Sequence, residues 1–249
     1  MNKYLSGLNK LEFVVTNACT GRCKHCSNGE QVDCGCSIDP DVASEAVRAV
    51  AREYSIKTVM AFGGEPLLFA DTVCDIMRAA TEMNVPRRQV ITNGYFTRDV
   101  NAVSSVAEAL RLSGVNDLLL SVDVFHQETI PLDAVRNFAI EVKKCGIPIR
   151  LQPAWLVGRE DLNPYNVATR EILRSLEDTE IPVGEGNVIF PEGNAKMYLS
   201  EYFTDGVYEN PYEEDPKNVK CLSFSADGSV LDGNIYSKSI LEIIEGYAP

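Results

Sequence analysis

The sequence predicts an α/β fold, a partial (β/α)6 TIM-like barrel with a short irregular C-terminal extension. Three observations predict it. Short apolar runs rich in β-branched residues alternate with amphipathic stretches in strict order up to about residue 190. Glycine- and cysteine-bearing segments follow the ends of those runs. After Phe190 the alternation gives way to an acidic, aromatic, turn-rich tail. Strand–helix alternation implies a parallel sheet with right-handed crossovers. About six units, rather than the eight of a closed barrel, leave that sheet open.

Taken in order, residues 11–16 (LEFVVT) read as a buried strand. Residues 39–54 read as a helix, with Asp39 as N-cap, Pro40 at the first helical position, and Val42, Ala46, Val47 and Val50 on one face. Residues 58–66 form a second strand ending in two glycines, and Val73, Ile76, Met77 and Ala80 recur at helical spacing after Asp71. A third strand at 88–94, a helix over about 99–112 and a fourth strand at 117–123 follow. Val135, Phe138, Ala139 and Val142 mark a helix that Gly146 stops. A fifth strand at 148–153, a helix around 164–176 and a weak strand near 187–190 complete the alternation. Residues 221–233 read as a hairpin turning at Asp227-Gly228, and residues 239–247 as a short closing helix.

In such folds the reactive groups gather at the carboxyl ends of the strands. Four unusual segments fall there: the cysteine loop at 17–29, Gly63-Gly64-Glu65-Pro66, Thr92-Asn93-Gly94 and Ser121-Val122-Asp123.

Composition narrows the function classes. A net charge of −13 disfavours nucleic acid as a partner, because phosphate binding needs clustered Lys and Arg. No apolar run approaches the length of a membrane helix and no signal peptide is visible, so the expected location is the cytoplasm, with no membrane partner. In a reducing compartment a tight cluster among eight cysteines reads as metal-binding or catalytic rather than as disulfides.

Cys19-x3-Cys23-x2-Cys26 places three thiols in eight positions. Three thiolates can hold an iron–sulfur cluster with one iron left open. A structural zinc site completed by His25 or Cys36 is the alternative, but the paired C-x2-C spacings usual for zinc are absent. The motif, preceded by a strand and followed some 40 residues later by GGEP, resembles the signature of the radical S-adenosylmethionine (SAM) enzymes. The resemblance covers roughly residues 11–190, and His25 stands where that signature usually has an aromatic residue.

The resemblance implies that Cys19, Cys23 and Cys26 ligate a [4Fe–4S] cluster and that its open iron binds SAM. Reductive cleavage would give a 5′-deoxyadenosyl radical that abstracts hydrogen from a substrate. It also implies a SAM-binding rim of His25, Gly63, Gly64, Glu65, Pro66, Asn93, Ser121, Asp123 and Gln152. Gly63 and Gly64 would let SAM approach the backbone, and Glu65 would accept from its ammonium or shape the turn. Ser121 and Asp123 would meet the ribose, with an ordinary helix cap as the alternative for the pair. No residue is singled out as catalytic. His126 reads as a loop histidine with a local hydrogen bond, Cys74 and Cys145 as core thiols, Trp155 as rim packing, and Cys34 and Cys36 as loop thiols. A ferredoxin- or flavodoxin-type protein is the implied electron donor.

Two domains are expected: the radical SAM partial barrel over 1–190 and a C-terminal extension over 191–249. Residues 188–197 and 221–233 resemble parts of the cysteine-rich SPASM extension of peptide-modifying members, but Cys221 is the only cysteine after residue 190. One thiolate does not hold a second cluster, so a single cluster is expected. This ancestry favours a ribosomal peptide as substrate. A glycyl-radical activating enzyme, an enzyme of small metabolites, a non-catalytic iron–sulfur electron carrier and a binding module are the alternatives.

Overall fold

Each predicted strand and helix finds a counterpart in a computed structural model that describes residues 2–29, 35–203, 208 and 210–249. Cys34 lies outside the described residues. The strands are β1 (Lys10–Val14), β2 (Thr58–Phe62), β3 (Arg87–Thr92), β4 (Asp117–Ser121), β5 (Ile149–Gln152), β6 (Ala154–Trp155) and β7 (Asn187–Val188). The helices between them are α1 (Pro40–Glu53), α2 (Ala70–Glu82), α3 (Val100–Ser113), α4 (Val124–Gln127), α5 (Leu132–Lys144) and α6 (Pro164–Arg174). The tail adds α7 (Gly193–Tyr198), β8 (Cys221–Phe224), β9 (Ser229–Val230), β10 (Gly233–Asn234) and α8 (Ile240–Gly246). Asp39 caps α1 as expected, its side chain accepting from the backbone N–H groups of Asp41 and Val42.

One six-stranded sheet runs β5-β4-β3-β2-β1-β8, and every pairing in it is parallel. Side chains alternate across it. Leu11, Phe13, Val59, Ala61, Val90 and Leu118 are fully buried on the face packed by the helices. The opposite face is mixed: Val14, Met60, Phe62, Ile91 and Leu119 share it with a group of charged and polar side chains at the amino ends of the strands. There Asp117 accepts from Arg87 Nε at 2.7 Å and Gln89 Nε2 at 2.6 Å, and pairs with Arg150 at 2.9 Å. Lys10 pairs with Glu12 on the same face.

Two sequence expectations need correction. The sixth strand of the sheet is not the run at 187–190 but β8, from the tail. The 187–190 run forms only the two-residue β7, paired with β6. Pro153 is the reason: it has no N–H to donate, so the strand breaks into β5 and β6. Residues 181–189 still track it through Leu151 N–H to Pro182 O (2.9 Å) and Ile189 N–H to Trp155 O (2.9 Å). The hairpin at 221–233 keeps its turn, with Gly228 N–H on Ser225 O at 2.9 Å, but its first arm pairs with β1 and its second, β9, pairs with β10.

The alternation of β8 explains its place. Leu222 and Phe224 are fully buried, and Phe224 stacks on Phe13 with ring centroids 4.5 Å apart and planes 5° from parallel. The change of character at residue 190 therefore marks a change in sequence, not in sheet. Phe224→Ala is expected to destabilise the chain by about 3–5 kcal/mol through the cavity left beside Phe13. Urea denaturation checks this; a loss below 1 kcal/mol would show that β8 is not part of the core. No described helix is long and apolar enough to cross a membrane.

Candidate functional site

The cysteine loop leaves β1 and is held from three sides. The first hold is the end of β2. Gly64 N–H donates to Thr16 O and Glu65 N–H to Ala18 O, both at 2.8 Å. A Cβ at Gly63 would lie 2.5 Å from Thr16 O, and one at Gly64 2.1 Å from Ala18 O. The two glycines are thus required by the loop's own backbone. This gives the glycine pair a reason within the loop's own backbone, beside the approach of SAM expected from sequence.

The second hold is the segment around α4. Arg22 N–H donates to Thr129 Oγ1 at 3.1 Å, and Lys24 pairs with Glu128 at 2.9 Å. The third is the start of α7, where Asn194 N–H donates to Cys26 O at 2.9 Å and Asn194 Nδ2 to Cys23 O at 3.1 Å.

Within the loop, a point built where a Gly21 Cβ would stand is 3.3 Å from Cys23 Sγ and 3.7 Å from Cys19 Sγ. The two sulfurs converge on a cradle that a larger residue would fill. Gly21 N–H donates to Cys19 Sγ at 3.3 Å, and Asn93 Nδ2 approaches the same sulfur at 3.6 Å. Burial raises the Cys19 thiol to about 11, and the charge of Glu65 adds to the rise while the Gly21 N–H opposes it. Burial pushes Cys23 up as well, followed by the charge of Asp123. Two neighbouring sulfurs, one buried and one half-buried, that resist bearing charge unaided, with N–H groups aimed at the half-buried one, fit a cationic metal cluster held by thiolates. His25 Nδ1, Gln127 Nε2 and Asn194 Oδ1 are buried and unpartnered on this loop and the segments that hold it.

Glu65 is fully buried. Its Oε1 accepts from Thr92 Oγ1 at 2.6 Å and Leu67 N–H at 3.0 Å, and its Oε2 from Asn93 N–H at 2.8 Å. It therefore ties the turn after β2, which continues into Pro66, to the end of β3. Burial raises its carboxyl to about 7, partly opposed by those three donors. In the unfolded chain a Glu titrates near 4.3. The folded chain thus keeps a proton that the unfolded chain has lost between those values. This contribution to stability is full below about pH 4.3 and is lost as pH rises to about 7, a change of about 4 kcal/mol. Glu65→Gln is expected to flatten that slope, as read by urea denaturation of the cluster-free chain at pH 5 and pH 8. An unchanged slope would refute the assignment.

Asp123 is fully buried and caps α4. Its Oδ1 accepts from His126 N–H at 3.0 Å, and its Oδ2 meets His126 Nδ1 at 2.9 Å and accepts from Ala154 N–H at 3.0 Å. Burial raises its pKa, but the His126 interactions outweigh this and hold it at about 2. The helix-cap alternative describes the role this carboxylate plays within the chain, its oxygens meeting His126 and Ala154; α4 itself was not legible in the sequence. Ser121 lies opposite Gln152 in the sheet register, and Gln152 Nε2 reaches Asn187 Oδ1 at 3.4 Å. Ser121 and Gln152 are half-buried at the rim and Asn187 is exposed.

His25 packs against Phe125, with centroids 5.1 Å apart, and burial lowers its pKa to about 4, with the charge of Asp123 opposing. The structure brings His126 into the same cluster of side chains, 4.8 Å from His25 between ring centroids. Trp155 packs at the rim, its indole N–H on Glu185 O at 2.8 Å. Cys74 is buried in the core, Cys145 is half-buried at the end of α5, and Cys36 is exposed. Asn194 was missed from sequence: nothing in its neighbourhood signals a contact with a loop 170 positions earlier. The contact of Asn93 with Cys19 was similarly hidden.

Comparison with known proteins agrees with this geometry. The family model of the Radical SAM superfamily matches residues 13–147. A probable GTP 3′,8-cyclase of Saccharolobus solfataricus is 28% identical over 207 residues, covering 78% of this chain and 64% of that protein. One from Methanocella arvoryzae is 30% identical over 123 residues, covering 49% of this chain and 37% of its own. The chain thus spans less than two thirds of the length of these curated relatives.

Among solved structures, Streptococcus suis SuiB bound to its precursor peptide SuiA superposes with a TM-score of 0.59 at 13% identity. That match covers 97% of this chain and 65% of SuiB. The native anSMEcpe with bound AdoMet gives 0.58 at 15% identity, covering 96% and 80%. These two likenesses are of fold. With three cysteines on one rim and a family match over more than half its length, the chain belongs to the radical SAM superfamily, enzymes that work with a [4Fe–4S] cluster and S-adenosylmethionine.

Proposed function

We propose that this enzyme abstracts a hydrogen atom from a peptide substrate admitted to the open lumen of the partial barrel. When bound, the cluster and SAM supply the chemistry: a reducing electron breaks a carbon–sulfur bond of the sulfonium and releases a 5′-deoxyadenosyl radical. Cys19, Cys23 and Cys26 are the residues assigned to hold three of the irons. The Gly21 N–H and Asn93 Nδ2 lie where they reduce the charge on the Cys19 sulfur and so help set the cluster's potential.

The rim of Gly63, Gly64, Glu65, Pro66, Asn93, Ser121 and Gln152 is assigned to SAM. Glu65 acts there by fixing the turn, while Asn93, Ser121 and Gln152 offer polar atoms. His25 and Asp123 shape the wall behind Cys23. Residues 191–249 act as a single-strand extension that buttresses β1 and serves substrate binding, and a ferredoxin- or flavodoxin-type donor supplies the electron.

The observation that carries the substrate class is the acidic balance of the chain. Arg87 and Arg150 are both paired with Asp117, and Lys10 with Glu12. Two guanidiniums share the one Asp117 carboxylate, so this small group is not what decides; a chain of net charge −13 suits a neutral or cationic peptide better than a triphosphate, which needs clustered positive charge. The named relatives favour a second reading, a nucleotide such as GTP.

The test is the anaerobically reconstituted chain with SAM, reductant and either Cα-deuterated basic peptides or GTP deuterated on the ribose. Deuterium in 5′-deoxyadenosine from the peptides supports the proposal. Transfer from GTP, with the peptides silent, replaces it with the nucleotide reading.

A further inference from the structure

The chain has two histidines, 101 positions apart in sequence, and both meet at one cysteine. Ligand atoms of Cys23, His25 and His126 lie within 4.8 Å of one another. The two rings approach at 66°, with centroids 4.8 Å apart, so they converge rather than stack.

Two further observations point to a ligand. His25 Nδ1 is buried and has no hydrogen-bond partner, although buried ring nitrogens are ordinarily paired. His126 Nδ1 is 2.9 Å from a carboxylate oxygen of the fully buried Asp123. A carboxylate behind one ring nitrogen is the arrangement that orients metal-binding imidazoles, and it leaves Nε2 with its lone pair for an ion.

We propose that in the cluster-free chain Cys23, His25 and His126 hold one divalent ion of the zinc class, with Asp123 as the positioning residue for His126. One thiolate and two imidazoles suit a tetrahedral, borderline-soft ion, and the fourth place is open to a small ligand. The ligand atoms need to close by only about 1 Å to meet a common ion at zinc–sulfur and zinc–nitrogen distances. Cys19 and Cys26 take no part. The ion and the cluster exclude each other, a consequence that rests on the reading of Cys23 as a cluster ligand; the binding of the ion does not.

Cobalt(II), the spectroscopic stand-in for zinc, is titrated anaerobically into the cluster-free full chain. The expected result is one ion per chain, with tetrahedral d–d bands and a thiolate-to-cobalt charge-transfer band, and displacement by zinc. Cys19→Ala is expected to bind cobalt as the wild type does. His25→Ala and His126→Ala should each lose at least tenfold in affinity, and Asp123→Asn about 10- to 100-fold.

His126→Cys should restore binding with a stronger charge-transfer band, which keeps the test readable if the alanine variant unfolds. Zinc bound beforehand should slow iron–sulfide loading of the wild type. Binding that is lost in Cys19→Ala and kept in His126→Ala would overturn the proposal in favour of a three-cysteine site, as would absence of stoichiometric cobalt binding. Iron–sulfide loading and 5′-deoxyadenosine formation by the wild type are read separately, so failure of the radical SAM reading is seen independently.

Discussion

Replacing Cys19 with alanine is expected to abolish stable [4Fe–4S] loading and, with it, SAM cleavage. The three cysteines are the whole thiolate set of the loop, and two thiolates do not hold a cluster that must also leave one iron open. Cys19 is the sulfur with the best-defined surroundings: the Gly21 N–H is at 3.3 Å and Asn93 Nδ2 at 3.6 Å. Burial raises its thiol to about 11, so the group is neutral until iron arrives and drives the proton off.

Because alanine removes only a sulfur from a half-buried position, the fold should survive. The measurements are iron and sulfide per chain, the visible absorbance of the cluster, and 5′-deoxyadenosine formed under reducing conditions. The loss expected is at least a hundredfold in product. A variant that kept four irons and cleaved SAM would remove Cys19 from the ligand set.

Gly64→Ala is expected to disrupt the cluster loop without touching a ligand. The added methyl would meet Ala18 O at 2.1 Å, Ala18 C at 2.7 Å and Asn17 O at 3.0 Å. These are backbone atoms of the segment that leads into Cys19, so no flexible side chain can swing away. The loop would have to leave the end of β2, giving up the Gly64–Thr16 and Glu65–Ala18 hydrogen bonds. A cost of about 3 kcal/mol, the upper end of the usual range for overpacking, is expected because the atoms met are backbone.

Cluster loading should fall more than tenfold, because the sulfurs converge only while the loop is held. Urea denaturation and iron content test both parts. If loading falls while stability is unchanged, the glycine serves the bound cofactor instead of the loop.

Much of this was written in the sequence in a form that local physics reads directly. Helix α1 announces itself through Asp39, Pro40 and a 3.6-residue apolar period, and its cap forms as the pattern requires. The three cysteines and the glycine pair also declare a loop with a metal's chemistry, because ligand type and spacing are properties of consecutive residues. Other features were hidden because they join residues far apart. Asn194 meets the carbonyls of Cys23 and Cys26, and His126 meets His25, with no local pattern to mark either. Asp123 read equally as a cap or a ribose contact in sequence, and only its burial and its partners show the cap it forms.

The sequence by itself determined the alternation of strands and helices, the open parallel sheet and the three-thiol loop, since periodicity and residue chemistry act over a few neighbours. Only the tertiary structure decided that β8 completes the sheet at β1, that the glycines make room for the chain's own backbone, and that both histidines converge on Cys23. Those outcomes depend on which buried surfaces fit one another once the sheet has formed, and shape complementarity between distant segments leaves no signature in any short stretch of sequence.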